Sequence, residues 1–113
     1  MPSDPGHRPE DLPPGLLEDY LRGARAQILM IGALADRLAV AGDDAHALDQ
    51  FRREVHKVHG SAGSYGFWEA SELAAEMEAT AKQWLARPAG DHADRGAIAQ
   101  LFVSRLAAAL RLG

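Results

Sequence analysis

The sequence predicts an all-α protein, an up-down-up-down four-helix bundle preceded by a short leader, and three observations carry that prediction. The 113 residues include 22 alanines but only eight β-branched side chains (Val40, Val55, Val58, Val103, Ile28, Ile31, Ile98 and Thr80). Alanine is the best helix former, whereas strands draw on branched side chains for their pleated faces. Apolar residues recur at alternating gaps of three and four along four segments, the period of a helix with one buried face. Short stretches rich in Gly, Pro and Asp separate those segments, which favours antiparallel packing of sequence neighbours.

Residues 1–13, with Pro2, Pro5, Pro9 and Pro13, read as a flexible or short-helical leader. The domain proper is expected over residues 14–113, with Pro14 suited to a first helical turn. The first stripe is Leu17, Leu21, Ala24, Ile28, Ile31, Ala35 and Leu38, in which Gly23 and Gly32 allow a kink. Gly42 ends it, and Asp43 or Asp44 caps the next helix. That helix carries Leu48, Phe51, Val55, Val58, Ala62 and Tyr65 and stops at Gly66. A third stripe, Ala70, Leu73, Met77, Ala81 and Trp84, runs to the Arg87–Gly90 break. Asp91 is the expected cap of a fourth helix whose face is Ile98, Phe102, Leu106, Ala109 and Leu110.

Composition excludes several functions. Apolar residues make up 47% and charged residues 25%, ordinary values for a globular domain. Without cysteine there is no disulfide framework, thiol catalysis or iron–sulfur cluster. The net charge of −4 argues against a general nucleic-acid binder, which carries a basic surplus. No window reaches the roughly 18 apolar residues that span a bilayer, and the acidic, Pro-rich start has no signal-peptide apolar region. A monomeric cytoplasmic protein with no membrane or nucleic-acid partner is expected.

The chemistry concentrates in the second helix, in the run from Arg52 to Gly66, which holds His56 and His59 and glycines at 60, 63 and 66. A glycine inside a helix costs about 1 kcal/mol relative to alanine, so Gly60 and Gly63 ask for a reason. Val55 and Val58 lie on the buried seam, which puts His56 at the rim of the core. A helical side chain leans toward the N-terminus and covers the surface near the residue four positions earlier. Gly60 therefore leaves His56 uncovered, and Gly63 does the same for the strip beside His59. Arg52, Arg53 and Lys57 add positive charge within a turn, a setting for an arriving anion and a closely docking protein.

Across the turn at Gly66, Glu78 follows the seam residue Met77 as His56 follows Val55. The two Cα heights differ by about 3 Å in an antiparallel pair, and the side chains lean toward each other. A carboxylate that accepts from Nδ1–H fixes the imidazole tautomer and leaves Nε2 with an outward lone pair, a nucleophile for phosphoryl groups.

The run His56-Lys57-Val58-His59-Gly60-Ser61-Ala62-Gly63-Ser64-Tyr65-Gly66 resembles the signature of histidine-containing phosphotransfer (HPt) domains, H-x-x-K-G-S/A-x-x-x-x-G. With the helix order, the resemblance extends over residues 14–112. It implies a four-helix bundle that relays a phosphoryl group in two-component phosphorelays, with His56 phosphorylated, Gly60 giving access and Glu78 orienting the imidazole. Ser61 and Gly63 are motif positions expected to line the docking face with Arg52, Arg53 and Lys57. The family's usual lysine is replaced by His59, expected to contact the phosphoryl group as a neutral donor or an imidazolium. The implied partners are response-regulator receiver domains and a sensor histidine kinase. No cofactor of its own is expected; Mg²⁺ belongs to the partner receiver. A phosphocarrier without its own kinase or nucleotide site follows. Two other readings share the residues: the N-terminal phosphotransfer segment of a chemotaxis-type histidine kinase, and a regulatory module that binds a kinase or receiver without being phosphorylated.

The plainer readings are these. A metal on His56 and His59 would need core-facing carboxylates from other helices, so none is expected. His7, His46 and His92 are expected to be solvated, Phe51, Trp84 and Phe102 to be core, and Glu69, Glu72 and Glu76 to form a solvated face.

Overall fold

A computed structural model describes residues 8–112, and within them the predicted bundle is present. A short 3₁₀ turn, Pro9–Asp11, precedes four helices: α1 (Leu16–Val40), α2 (Ala45–Ser64), α3 (Trp68–Ala86) and α4 (Arg95–Ala109). The earlier part of the leader, with His7, lies outside the described residues. Pro9 is buried, so this end of the leader is packed against the bundle. Pro14 stands in a turn ahead of α1 and not inside it; Gly15, at φ 87°, makes the entry that a residue with a Cβ rarely adopts. Despite Gly23 and Gly32, α1 is one continuous helix of 25 residues.

Asp44 caps α2 by accepting from the amide of Ala47 at 3.1 Å, and it also holds Nε of Arg37. Those two interactions keep its carboxyl below the usual aspartate range. The other end of α2 closes on Gly66, at φ 86°, with Gly66 N–H bonded to Gly63 and Phe67 N–H to Ala62. This double bond pattern across a left-handed residue satisfies carbonyls that the last turn would leave open.

Topology follows from pairs along the helices. Glu54 meets Gln27, His59 meets Ser71 and His56 meets Glu78, while Asp36 meets Gln100. Arg37 likewise meets Asp44, and Ala39 meets Gly96, so along each helix pair one number rises as the other falls; α1–α2, α2–α3 and α4–α1 are antiparallel, and the bundle measures 46 × 24 × 18 Å. Its core holds Ile31, Leu38, Leu48, Phe51, Val55 and Leu106, all essentially without solvent contact. Phe51 and Phe102 meet edge to face at 6.2 Å, and Tyr20 stacks on Tyr65 at 4.1 Å.

Two expectations at α4 need correction. Asp91 does not cap it: the helix begins at Arg95, and Asp94 occupies the cap position without a side-chain capping bond. The connection needs the extra residues to cross Gly42, where any Cβ would press on the His92 backbone and lie 3.1 Å from its Cβ. Ile98 is 45% exposed, and Ala99 takes its place in the core. Gly96 lies against the backbone of Ala39, close enough that an added Cβ would come within 2.6 Å of the Ala39 side chain. That contact turns Gly96 and Ala99 toward α1 and Ile98 outward.

Arg95 is buried and donates to the carbonyls of Gly42, Pro88 and Arg87 at 2.7–2.9 Å. Its guanidinium also lies over Trp84. One side chain thus ties together both connections at this end of the bundle. No helix among the described residues is long and apolar enough to cross a membrane.

Candidate functional site

The site sits midway along the α2–α3 pair. Val55 and Val58 anchor α2 in the core, so His56 is carried to the rim with 65% of its side chain exposed. On α3, Met77 is buried and Glu78 beside it is 8% exposed. The two side chains converge: His56 Nδ1 lies 2.8 Å from Glu78 Oε2. An ionised carboxylate only accepts, so Nδ1 carries the proton and Nε2, on the far side of the ring, keeps its lone pair.

Glu78 serves more than one group. Its Oε1 lies 3.5 Å from His59 Nδ1, and Lys82 Nζ lies 3.5 Å from Oε2. Burial pushes the carboxyl up, but the hydrogen bond and charge of His56, with the charge and hydrogen bond of Lys82, outweigh it and hold Glu78 below the usual glutamate range. The carboxylate therefore stays ionised and available to Nδ1 at neutral pH.

Gly60 is open, as expected: a Cβ built there meets nothing within 4 Å. The helix surface at Gly60 itself is therefore uncovered, while the Ser64 hydroxyl one turn on donates to the Gly60 carbonyl at 3.1 Å. Gly63 does something else. A Cβ there would lie 3.2 Å from the Ser71 hydroxyl and 3.7 Å from the Trp68 ring, so this glycine lets α3 approach α2. Through that gap Ser71 Oγ reaches the His59 carbonyl at 2.9 Å and fixes the two helices beside the site.

The expected basic surround is largely matched by acids on its own helix. Arg52 and Arg53 both pair with Asp49, at 3.1 and 2.9 Å, and Lys57 pairs with Glu54 at 3.0 Å. Spacings of three and four residues make these pairs nearly automatic on a helix. Ser61 is directed away from the imidazole, its hydroxyl lying 3.5 Å from the Val58 carbonyl and within hydrogen-bonding reach of Tyr20 on α1. His46 and His92 are exposed, as expected.

Sequence reasoning missed Lys82 and Ser71. Lys82 had a signal, since it stands four residues after Glu78 and such pairs meet on a helix. Ser71 had none without the α2–α3 register. Among the described residues no group of three His, Cys, Asp or Glu side chains is placed to hold a metal ion.

An imidazole steered at Nδ1, open at Nε2 and bordered by an exposed glycine is an arrangement for nucleophilic chemistry with a large partner. No curated protein and no solved structure gives a match to this chain. The family model described as "Hpt domain" matches residues 15–111, which takes in all of α1 to α4 with their connections. The chain therefore belongs to the Hpt domain family, whose members take part in histidine phosphotransfer in two-component signalling.

Proposed function

We propose that this chain is a phosphorelay intermediate that carries its phosphoryl group on Nε2 of His56. The lone pair of Nε2 attacks the phosphorus of a receiver's aspartyl phosphate in line. The N–P bond forms, the P–O bond breaks, and its electron pair returns to the receiver's carboxylate. The Nδ1 proton stays shared with Glu78, whose negative charge offsets the positive charge developing on the ring. Transfer onward to a second receiver is the same step reversed.

The observation that carries this reading is the 2.8 Å contact between His56 Nδ1 and a carboxylate that its burial holds in place and that His56 and Lys82 keep ionised. The bare helix surface at Gly60 supports close approach of a partner domain. Phosphoryl transfer requires mainly positioning and charge neutralisation, and a receiver brings Mg²⁺, lysine and an acidic pocket to the encounter. On this chain, His59 and Lys82 are, after His56, the cationic or donor groups nearest the carboxylate, each at 3.5 Å, and contact the phosphoryl oxygens. Arg53 and Lys57, exposed though paired, form the charged rim that speeds encounter. The carrier acts as a monomer in the cytoplasm, with receiver domains and a sensor histidine kinase as partners.

Transfer of labelled phosphate from a phosphorylated receiver to the wild-type chain and to His56→Gln tests the reading. Label mapped to His56, with His56→Gln accepting at less than about one-hundredth of the wild-type rate, supports it. Equal rates for the two proteins overturn it.

A further inference from the structure

Glu78 offers a different oxygen to each of two histidines. Oε2 lies 2.8 Å from His56 Nδ1, and Oε1 lies 3.5 Å from His59 Nδ1. The second imidazole repeats much of the first one's setting. Its side chain is 44% exposed, and its Nδ1 faces the carboxylate, so its Nε2 is the ring nitrogen farther from Glu78. The residue four positions on is again a glycine, Gly63 after His59 as Gly60 after His56. The Ser71 hydroxyl bonded to the His59 carbonyl holds this turn of α2 in place. His46 and His92 are just as accessible, yet neither pairs with a carboxylate among the described residues.

From this shared carboxylate we infer that His59 is a second phosphoryl acceptor, working through the same Glu78. The inference rests on the phosphotransfer reading of His56 and extends it to a neighbouring site. An imidazole at this position brings a nucleophilic lone pair, which an ammonium at neutral pH does not have. The step balances as it does at His56: the Nε2 lone pair forms the N–P bond, the donor's bond to phosphorus breaks with its electron pair, and the proton on Nδ1 stays on the ring, facing Glu78 across 3.5 Å. His59 ranks below His56 for two visible reasons. Its contact with the carboxylate is longer, and Gly63 is packed against Ser71 and Trp68 where Gly60 is open.

The test uses phosphoramidate, a small donor whose P–N bond breaks to release ammonia, so that no docking partner selects the histidine. Wild type, His56→Gln, His56→Gln/Glu78→Ala and His59→Gln are labelled at neutral pH, and each N–P bond is mapped by mass spectrometry without acid. In the wild type the expected order is His56, then His59 about tenfold slower, with His46 and His92 at least about tenfold slower again. His59 labelling persists in His56→Gln and falls to the level of His46 and His92 when Glu78 is also replaced. His59 labelled no faster than His46 and His92 overturns the inference while label on His56 leaves the first reading standing. So does His59 labelling that ignores the loss of Glu78. No label on wild-type His56 overturns the first reading itself. The ranking within the unmodified chain needs no variant, and far-ultraviolet circular dichroism shows whether each variant remains helical.

Discussion

His56 and Glu78, twenty-two residues apart on neighbouring antiparallel helices, are joined Nδ1 to Oε2 at 2.8 Å, with the histidine mostly exposed and the glutamate mostly buried. The unequal burial sets the roles. The buried member is held by the core and the exposed one is free to meet a partner. Replacing Glu78 with alanine is expected to slow phosphoryl transfer by about 10- to 100-fold, the usual effect of losing a group that orients a reactive imidazole. Glu78→Gln keeps an acceptor for Nδ1–H and is expected to fall between the two. Single-turnover transfer rates, with melting temperature as a control for folding, check this ordering.

The charge state of Glu78 gives a second expectation. Burial raises its proton affinity, but the hydrogen bond and charge of His56 and the charge of Lys82 lower it by more. In His56→Gln the largest opposing influence is gone, so the Glu78 carboxyl should titrate at higher pH than in the wild type. A carboxyl whose folded value is depressed stabilises the fold above its unfolded value and loses that contribution as pH falls through the folded one. Glu78 should therefore help hold the wild-type bundle near neutrality and stop doing so in acid. Carboxyl carbon NMR shifts against pH, with urea midpoints at matching pH, measure both.

Gly60 separates stability from activity. Leucine there should stabilise the helix by about 0.5–1 kcal/mol, because glycine's backbone freedom is lost and a Cβ at this position meets nothing within 4 Å. The same side chain fills the bare strip beside the imidazole. Transfer from a receiver is expected to fall by about tenfold or more, and labelling by phosphoramidate to fall less. A raised melting temperature together with a slower receiver reaction is the expected pair of results.

At the far end of α2, Arg95→Met should destabilise the bundle by about 2–4 kcal/mol, because the buried carbonyl of Gly42 and the half-buried carbonyl of Pro88 lose their donor. The methionine keeps part of the packing on Trp84. Urea denaturation measures the loss, and transfer rates under native conditions should be unchanged, since Arg95 touches nothing at the site.

The seams of α1, α2 and α3 were legible because their buried residues repeat at helical spacing and nothing competes with that pattern. The His56–Glu78 pairing was legible for a related reason. A tight turn at Gly66 fixes the register of two antiparallel helices, so counting residues from the turn places both side chains. Features set by contact between distant segments were not legible. Arg95 reads as an ordinary surface cation until the two connections fold over it. Ile98 fits the apolar period of α4, but the close seat of Gly96 on Ala39 rotates it outward. Gly63 repeats the spacing of Gly60 yet serves helix packing, because Ser71 and Trp68 lie above it. Arg52, Arg53 and Lys57 promised a stronger positive surround than the molecule presents, since Asp49 and Glu54 answer them on the same helix.

The most direct measurement is the rate of phosphoryl transfer from a phosphorylated receiver domain, with the N–P bond located by mass spectrometry, in the wild type and in His56→Gln. The bond is expected on Nε2 of His56, and the variant is expected to accept from the receiver at less than about one-hundredth of the wild-type rate. Transfer at the wild-type rate to a chain lacking His56, or a wild-type chain that takes no phosphoryl group from any receiver, would contradict the account.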